Sequence, residues 1–227
     1  MRFFICFGIN RQFRSLEFAQ RFLWSEGRAI LKVGIIGGGR VGSRLAASLR
    51  EAGLLAGVTA ASEQHSAQLA QQFGVPVTDN AKLWQAADVL LLTVPDRLIG
   101  TVAEELAQSL TPVAKVVLHV SGSVGLEPLA PLTQLGAHVG SLHPLQSFAG
   151  GNTQLAGVYM ALDGDSEAQD AGKKLVELFG GLPCGSVYLL ELRCSGGGYG
   201  GAADGALDRQ QRSCLGGTAS LVQRHSG

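Results

Sequence analysis

A chain of 227 residues is long enough to bury one large core or two small ones. Hydrophobic residues make up 46% and charged residues 16%, a balance that suits a soluble α/β protein with a buried sheet. With 18 basic against 18 acidic side chains, no basic stripe and no apolar run of about 18 residues, the composition argues against nucleic-acid partners and membrane spans.

Residues 1–30 carry five Arg, two Glu and six of the nine Phe (Phe3, Phe4, Phe7, Phe13, Phe18 and Phe22). The apolar stretch Phe3–Ile9 runs into Asn10-Arg11-Gln12-Phe13-Arg14 with no small-residue cleavage site, unlike a secretory signal, and transit peptides are poor in acids. The segment reads as an N-terminal extension, from a start placed too far upstream. All four Cys (Cys6, Cys184, Cys194, Cys214) lie outside residues 32–183 and form no CxxC pair. The expectation is a cytoplasmic protein with reduced thiols and no metal site.

Lys32–Ile36 is a short apolar run ending in glycines, which predicts a buried parallel strand. Arg40–Ala52 has helical spacing, with Val41, Leu45 and Leu49 on one face and Gly53 as its stop. Leu55–Ala61 is a second strand, Glu63–Phe73 a helix closed by Gly74, Val75–Val77 a short third strand and Asn80–Ala86 a helix. Asp88–Val94 is aliphatic enough to be covered on both faces; Pro95 ends it and Arg97–Leu110 is the next helix. There follow a strand at Lys115–Val120, a helix at Leu126–Leu135 interrupted by Pro128 and Pro131, and a strand at Ala137–Ser141. Beyond the loop at Gly150-Gly151-Asn152 come a strand at Val158–Leu162 and a helix at Ser166–Phe179.

This alternation predicts an α/β fold: a doubly wound, mainly parallel Rossmann sheet with helices on both faces. Residues 31–150 form the expected dinucleotide-binding domain, and 151–182 its end and the connection to a second domain. Residues 195–227 hold nine Gly without sustained periodicity. Each Gly costs about 1 kcal/mol in a helix interior, so 183–227 reads as a disordered Gly- and Cys-rich tail.

The most informative motif is Gly37-Gly38-Gly39-Arg40-Val41-Gly42, a G-x-G-x-x-G between an apolar strand and a helix. Gly37 permits the tight turn, Gly39 lets a pyrophosphate approach the backbone, and Gly42 allows the helix to pack on the strand. The positive N-terminus of the Arg40–Ala52 helix then faces the phosphates. Cofactor choice is read at the end of the second strand, where an acid would bind the adenosine ribose. Here stand Ala60-Ala61-Ser62, with Glu63 just beyond. Ser62 as a phosphate donor, with Arg40 near it, leans toward NADP over NAD; alternatively Ser62 caps the following helix.

Ligands of this fold bind outside the carboxyl ends of the strands. Three loops converge there: Thr93-Val94-Pro95-Asp96, His119-Val120-Ser121-Gly122-Ser123 and Ser141-Leu142-His143-Pro144-Leu145-Gln146-Ser147-Phe148. Hydride chemistry needs a proton partner, and His143 is the candidate, with Ser121 bonding the substrate or the nicotinamide amide. Alternatively His143 only braces the turn before Pro144. His119 reads as an interior histidine, His65 and His138 as surface residues, and Asp96 as a cap for the Arg97 helix.

The strings VGIIGGGRVG, LLLTVPD, VLHVSGS and GSLHPLQSF resemble bacterial proteins built of a Rossmann-like domain plus DUF2520, over about Leu31 to Leu182. These are relatives of deazaflavin-dependent NADP reductases, pyrroline-5-carboxylate reductases and the 6-phosphogluconate dehydrogenase group. The resemblance implies an NAD(P)-dependent oxidoreductase, with the nucleotide on Gly37, Gly39, Gly42, Ser62 and the Val94-Pro95 turn. A looser likeness to prephenate dehydrogenases implies that Ser121 and His143 serve a substrate hydroxyl. Members of the family continue into an all-helical domain that forms a homodimer and closes the cleft. The Gly-rich tail stands in its place here, and a shifted reading frame is the expected cause. Two readings stay open: an oxidoreductase acting on a CH–OH or CH–NH group of a small molecule, or a nucleotide-binding module without chemistry, whether a sensor or a truncated relic of such an enzyme.

Overall fold

The computed structural model describes residues 31–109, 115–148 and 154–185. The expected N-terminal extension and the tail from residue 186 onward lie outside them.

The described fold begins with β1 (Val33–Ile36), whose four residues are all buried, and passes through the glycine turn into α1 (Arg40–Glu51). Gly42, Leu45, Ala46 and Leu49 form the buried face of α1, the i, i+3, i+4, i+7 spacing of an amphipathic helix. Each buried leucine contributes roughly 1.5–3 kcal/mol. β2 (Leu55–Thr59) follows, then α2 (Glu63–Phe73), capped by the Ser62 side chain and ended by Gly74 in the left-handed region at φ 62°.

Val75–Val77, expected as a third strand, is not one. The Val75 amide closes the last turn of α2 on the Ala70 carbonyl, and Asp79 already caps α3 (Asn80–Ala86). Too few residues remain between two helix caps to pair with a neighbour, and Val77 is left 66% exposed.

β3 (Val89–Leu92) leads through a 3₁₀ turn at Asp96–Leu98 into α4 (Ile99–Ser109). β4 (Val116–His119) precedes a second 3₁₀ turn, Glu127–Leu129, and the short α5 (Ala130–Gln134), with Pro128 and Pro131 in the opening positions that tolerate them. Then come β5 (His138–Pro144), β6 (Tyr159–Gly164), α6 (Ser166–Leu178) and β7 (Leu182–Gly185).

These strands form one seven-stranded sheet in the order β2-β1-β3-β4-β5-β6-β7. All neighbours run parallel except β5 and β6. The α/β Rossmann-like architecture is therefore the one expected, with one reversal. That reversal lengthens β5: β6 pairs with it up to Pro144, whereas its parallel partner β4 stops opposite Ser141. His143, expected in a loop, sits on a strand. Pro183, Cys184 and Gly185, expected in a disordered tail, instead complete β7. Pro183 is tolerated there because an edge strand needs fewer main-chain donors.

Side chains alternate across the sheet. Val33, Ile35, Leu91 and Leu118 meet Leu45, Leu49, Phe73 and Leu175 on the face of α1, α2 and α6. Ile36, Leu90, Leu92 and Val117 meet Leu83, Trp84, Ile99 and Leu132 on the face of α3, α4 and α5. Among the described residues no helix is long and apolar enough to cross a membrane.

Candidate functional site

β1 lies between β2 and β3, so the chain leaves it toward one side and later continues from β3 toward the other. The loops after β1 and β3 diverge at that point, which opens a crevice outside the carboxyl ends of the strands.

Gly37 has φ 120°, a conformation that side chains rarely adopt, and donates its amide to the Thr59 carbonyl at 2.8 Å. A Cβ there would stand 2.6 Å from the Thr93 carbonyl carbon. Thr93 Oγ1 donates to the Gly37 carbonyl at 2.6 Å and so ties the two diverging loops together. A Cβ on Gly42 would meet the Gly37 carbonyl oxygen at 2.0 Å, which is why the helix can lie against the turn. Gly38 serves packing too, since a Cβ there would stand 2.2 Å from Leu69 Cδ1. Gly39 is different. Among the described residues nothing lies within 4 Å of where its Cβ would be, and as N-cap of α1 it leaves the helix without a side-chain cap from any of them.

The first amides of α1 thus have no intrahelical acceptor and begin beside a bare backbone. A dinucleotide pyrophosphate fits this arrangement: main-chain donors, a positive helix end and room for the phosphate. Val41 packs against the core beside it, and Val94 packs on the opposite face of the sheet. Pro95 is exposed at the start of the 3₁₀ turn.

Ser62 accepts the His65 amide at 3.2 Å, so it is a helix cap, and its residue is exposed at the end of β2. The Arg40 guanidinium reaches instead the Phe148 carbonyl, at 3.4 Å, in the segment after β5. His65 is exposed, as expected, with its ring close to Gly38.

Ser121 and His143 come together. His143 Nδ1 lies 3.0 Å from the Val120 carbonyl, which fixes the tautomer: Nδ1 carries the proton and Nε2 is left as an acceptor. The ring rests over Gly122. Burial holds its pKa below the ordinary histidine value, opposed by the Val120 bond and by the charge of Asp96. Ser121 Oγ accepts the amides of Ser123 and Val124, both at 3.2 Å, so its two lone pairs are engaged. It offers its proton, either to Ser123 Oγ at 3.3 Å or to an oxygen of a bound ligand.

His119 is the interior histidine expected. It is fully buried, its Nδ1 accepts the Ser121 amide at 3.2 Å and its Nε2 lies 3.1 Å from the Gly125 carbonyl. Burial lowers its pKa as well, so the ring is neutral at pH 7.

Asp96 corrects the sequence reading. Among the described residues no side chain caps the 3₁₀ turn that it begins; its Oδ2 accepts the Ser123 hydroxyl at 2.5 Å. Away from the crevice, His138 faces Asp165 at 3.1 Å and Glu167 at 3.7 Å. Asp165 also caps α6 through the Ala168 amide, and acids at a helix N-terminus are accounted for by the helix dipole.

The Rossmann-like domain family matches residues 25–144, more than half of the chain. The chain belongs to the Rossmann-like domain family. Solved structures share this fold. A Bacteroides fragilis protein assigned as an NADP oxidoreductase superposes with a TM-score of 0.61 at 16% identity, covering 86% of this chain and 72% of that one. Pyrroline-5-carboxylate reductase from Coxiella burnetii gives 0.59 at 19% identity, over 85% and 72%. Prephenate dehydrogenase from Aquifex aeolicus, in complex with hydroxyphenyl propionate and NAD+, gives 0.57 at 21% identity, over 73% and 64%, so the chain spans less than two thirds of it. No curated protein sequence matches the chain.

Within this Rossmann-like domain the tight turn at Gly37 and the close packing at Gly42 were legible from the sequence. The Asp96–Ser123 link was not: the partners are 27 residues apart, and neither loop carries a local pattern that points to the other.

Proposed function

We propose that this Rossmann-like domain binds NAD(P) at the Gly37–Gly42 turn and serves an oxidoreductase acting on a CH–OH or CH–NH group of a small molecule. The observation that carries the proposal is the bare approach at Gly39 beside the uncapped start of α1. The oxidoreductases that share the fold support it, as does the resemblance to the DUF2520 group. The absence of an acid at residues 60–62 favours NADP over NAD. Cytoplasmic location belongs to the same reading.

Bound NADP supplies the hydride acceptor or donor. In the oxidative direction the substrate carbon loses a hydride and its O–H or N–H proton passes to His143 Nε2, leaving C=O or C=N. Ser121 donates its hydroxyl proton to the substrate heteroatom or to the nicotinamide amide and so fixes the orientation. In the reductive direction His143 returns the proton.

The bonds that tie Ser121 into its own turn favour a second reading, a nucleotide-binding module without chemistry. Calorimetric titration with NADPH and NADH tests what both readings share: failure to bind either overturns them. Hydride exchange from labelled NADPH to candidate ketones and imines, lost in His143→Ala while NADPH still binds, separates the enzyme from the module.

A further inference from the structure

The segment that follows β4 is held from both sides. His143 lies on it through the Val120 carbonyl and Gly122. From the other side, the Ser123 hydroxyl donates to Asp96 Oδ2 at 2.5 Å, a short bond to a charged acceptor. Because the Ser123 proton points to Asp96, the 3.3 Å link between Ser121 and Ser123 is filled by the Ser121 proton. The carboxylate therefore belongs to the same hydrogen-bonded unit as Ser121 and is anchored to the same segment that His143 rests on.

When His143 takes a proton, an imidazolium forms in a half-buried place, where charge without a counter-charge is costly. We propose that Asp96 is a positioning residue of this site: anchored by Ser123, its carboxylate is the fixed counter-charge that His143 requires when protonated. The inference rests on the oxidoreductase reading for its purpose, though not for its geometry. Among the described residues, the charged and titratable groups facing the two imidazoles are Asp96 from the loop after β3, His119 and His143 themselves, and Asp163 on β6. Asp96 acts on both rings, whereas Asp163 acts on His119.

The test is a titration of the histidine C2 protons by NMR on the full chain, with signals assigned by single His→Gln variants. Asp96→Asn moves the His143 midpoint to lower pH, Asp96→Glu brings it back toward the wild-type position, and Asp163→Asn shifts His119 while leaving His143 in place. A His143 midpoint unchanged in folded Asp96→Asn overturns the proposal. Should that variant not fold, Ser123→Ala decides in its place: it keeps the carboxylate but removes its anchor, and an unchanged His143 midpoint again overturns the assignment. NADPH calorimetry on the same samples keeps the two ideas apart. A wild type that binds neither NADPH nor, in a parallel titration, NADH sinks the oxidoreductase reading, while the titration still reports whether Asp96 faces His143.

Discussion

The Cα of Gly122 lies directly beneath the His143 imidazole: a methyl group there would stand 2.4 Å from Nε2 and 2.7 Å from Cδ2. A residue of the loop after β4 and one on β5 thus share one space, and the smaller defines where the larger can sit. Gly122→Ala is expected to push the ring off its Val120 bond and to cost about 1–3 kcal/mol as an overpacking substitution. NADPH affinity should be preserved, since the glycine turn is untouched. Thermal melting and calorimetry check the pair of outcomes, and unchanged turnover would show that ring position is immaterial.

The glycines of the turn divide into three that the fold requires, Gly37, Gly38 and Gly42, and one, Gly39, that it does not. Gly42→Ala drives a methyl into the Gly37 carbonyl and should destabilise the fold by about 3 kcal/mol. Gly39→Ala meets no atom of the described residues within 4 Å, and its φ of −71° suits any residue. Its stability should stay within about 0.5 kcal/mol of wild type. Its NADPH affinity should fall about tenfold or more, or about 1.4 kcal/mol. Equal affinity in Gly39→Ala would place the phosphates elsewhere.

Ser62 offers a clean test of cofactor choice because its capping role can be kept. Ser62→Asp retains an oxygen acceptor for the His65 amide, so the helix remains capped. The added charge repels a 2′-phosphate and offers the ribose hydroxyls of NAD a partner. Preference should shift from NADPH toward NADH, read as the ratio of the two dissociation constants. A ratio unmoved by the carboxylate would exclude Ser62 from the adenosine site. Ser62→Ala should cost about 1 kcal/mol through the lost cap.

Burial lowers the pKa of His119 and His143 in the folded chain, while both return to about 6.5 on unfolding. Below pH 6.5 the unfolded chain therefore binds more protons than the folded one. The stability these rings allow is fully present above that pH and is lost as pH falls toward their folded values. Urea midpoints should fall between pH 7.5 and 5.5, and the fall should be shallower in His143→Ala. An equally steep fall would assign the acid sensitivity to other groups.

The sequence by itself determined the α/β alternation, the glycine turn and the amphipathic face of α1. Each is written in a local period or in the conformational needs of single residues, such as the positive φ of Gly37. Tertiary structure decided the rest. β6 reverses, β5 lengthens to take in His143, Val75–Val77 stays unpaired and Asp96 turns from its own helix to Ser123. Strand direction and pairing length depend on which distant segment supplies the hydrogen-bond partner. A carboxylate chooses between a nearby amide and a remote hydroxyl only once the sheet has brought the two loops side by side.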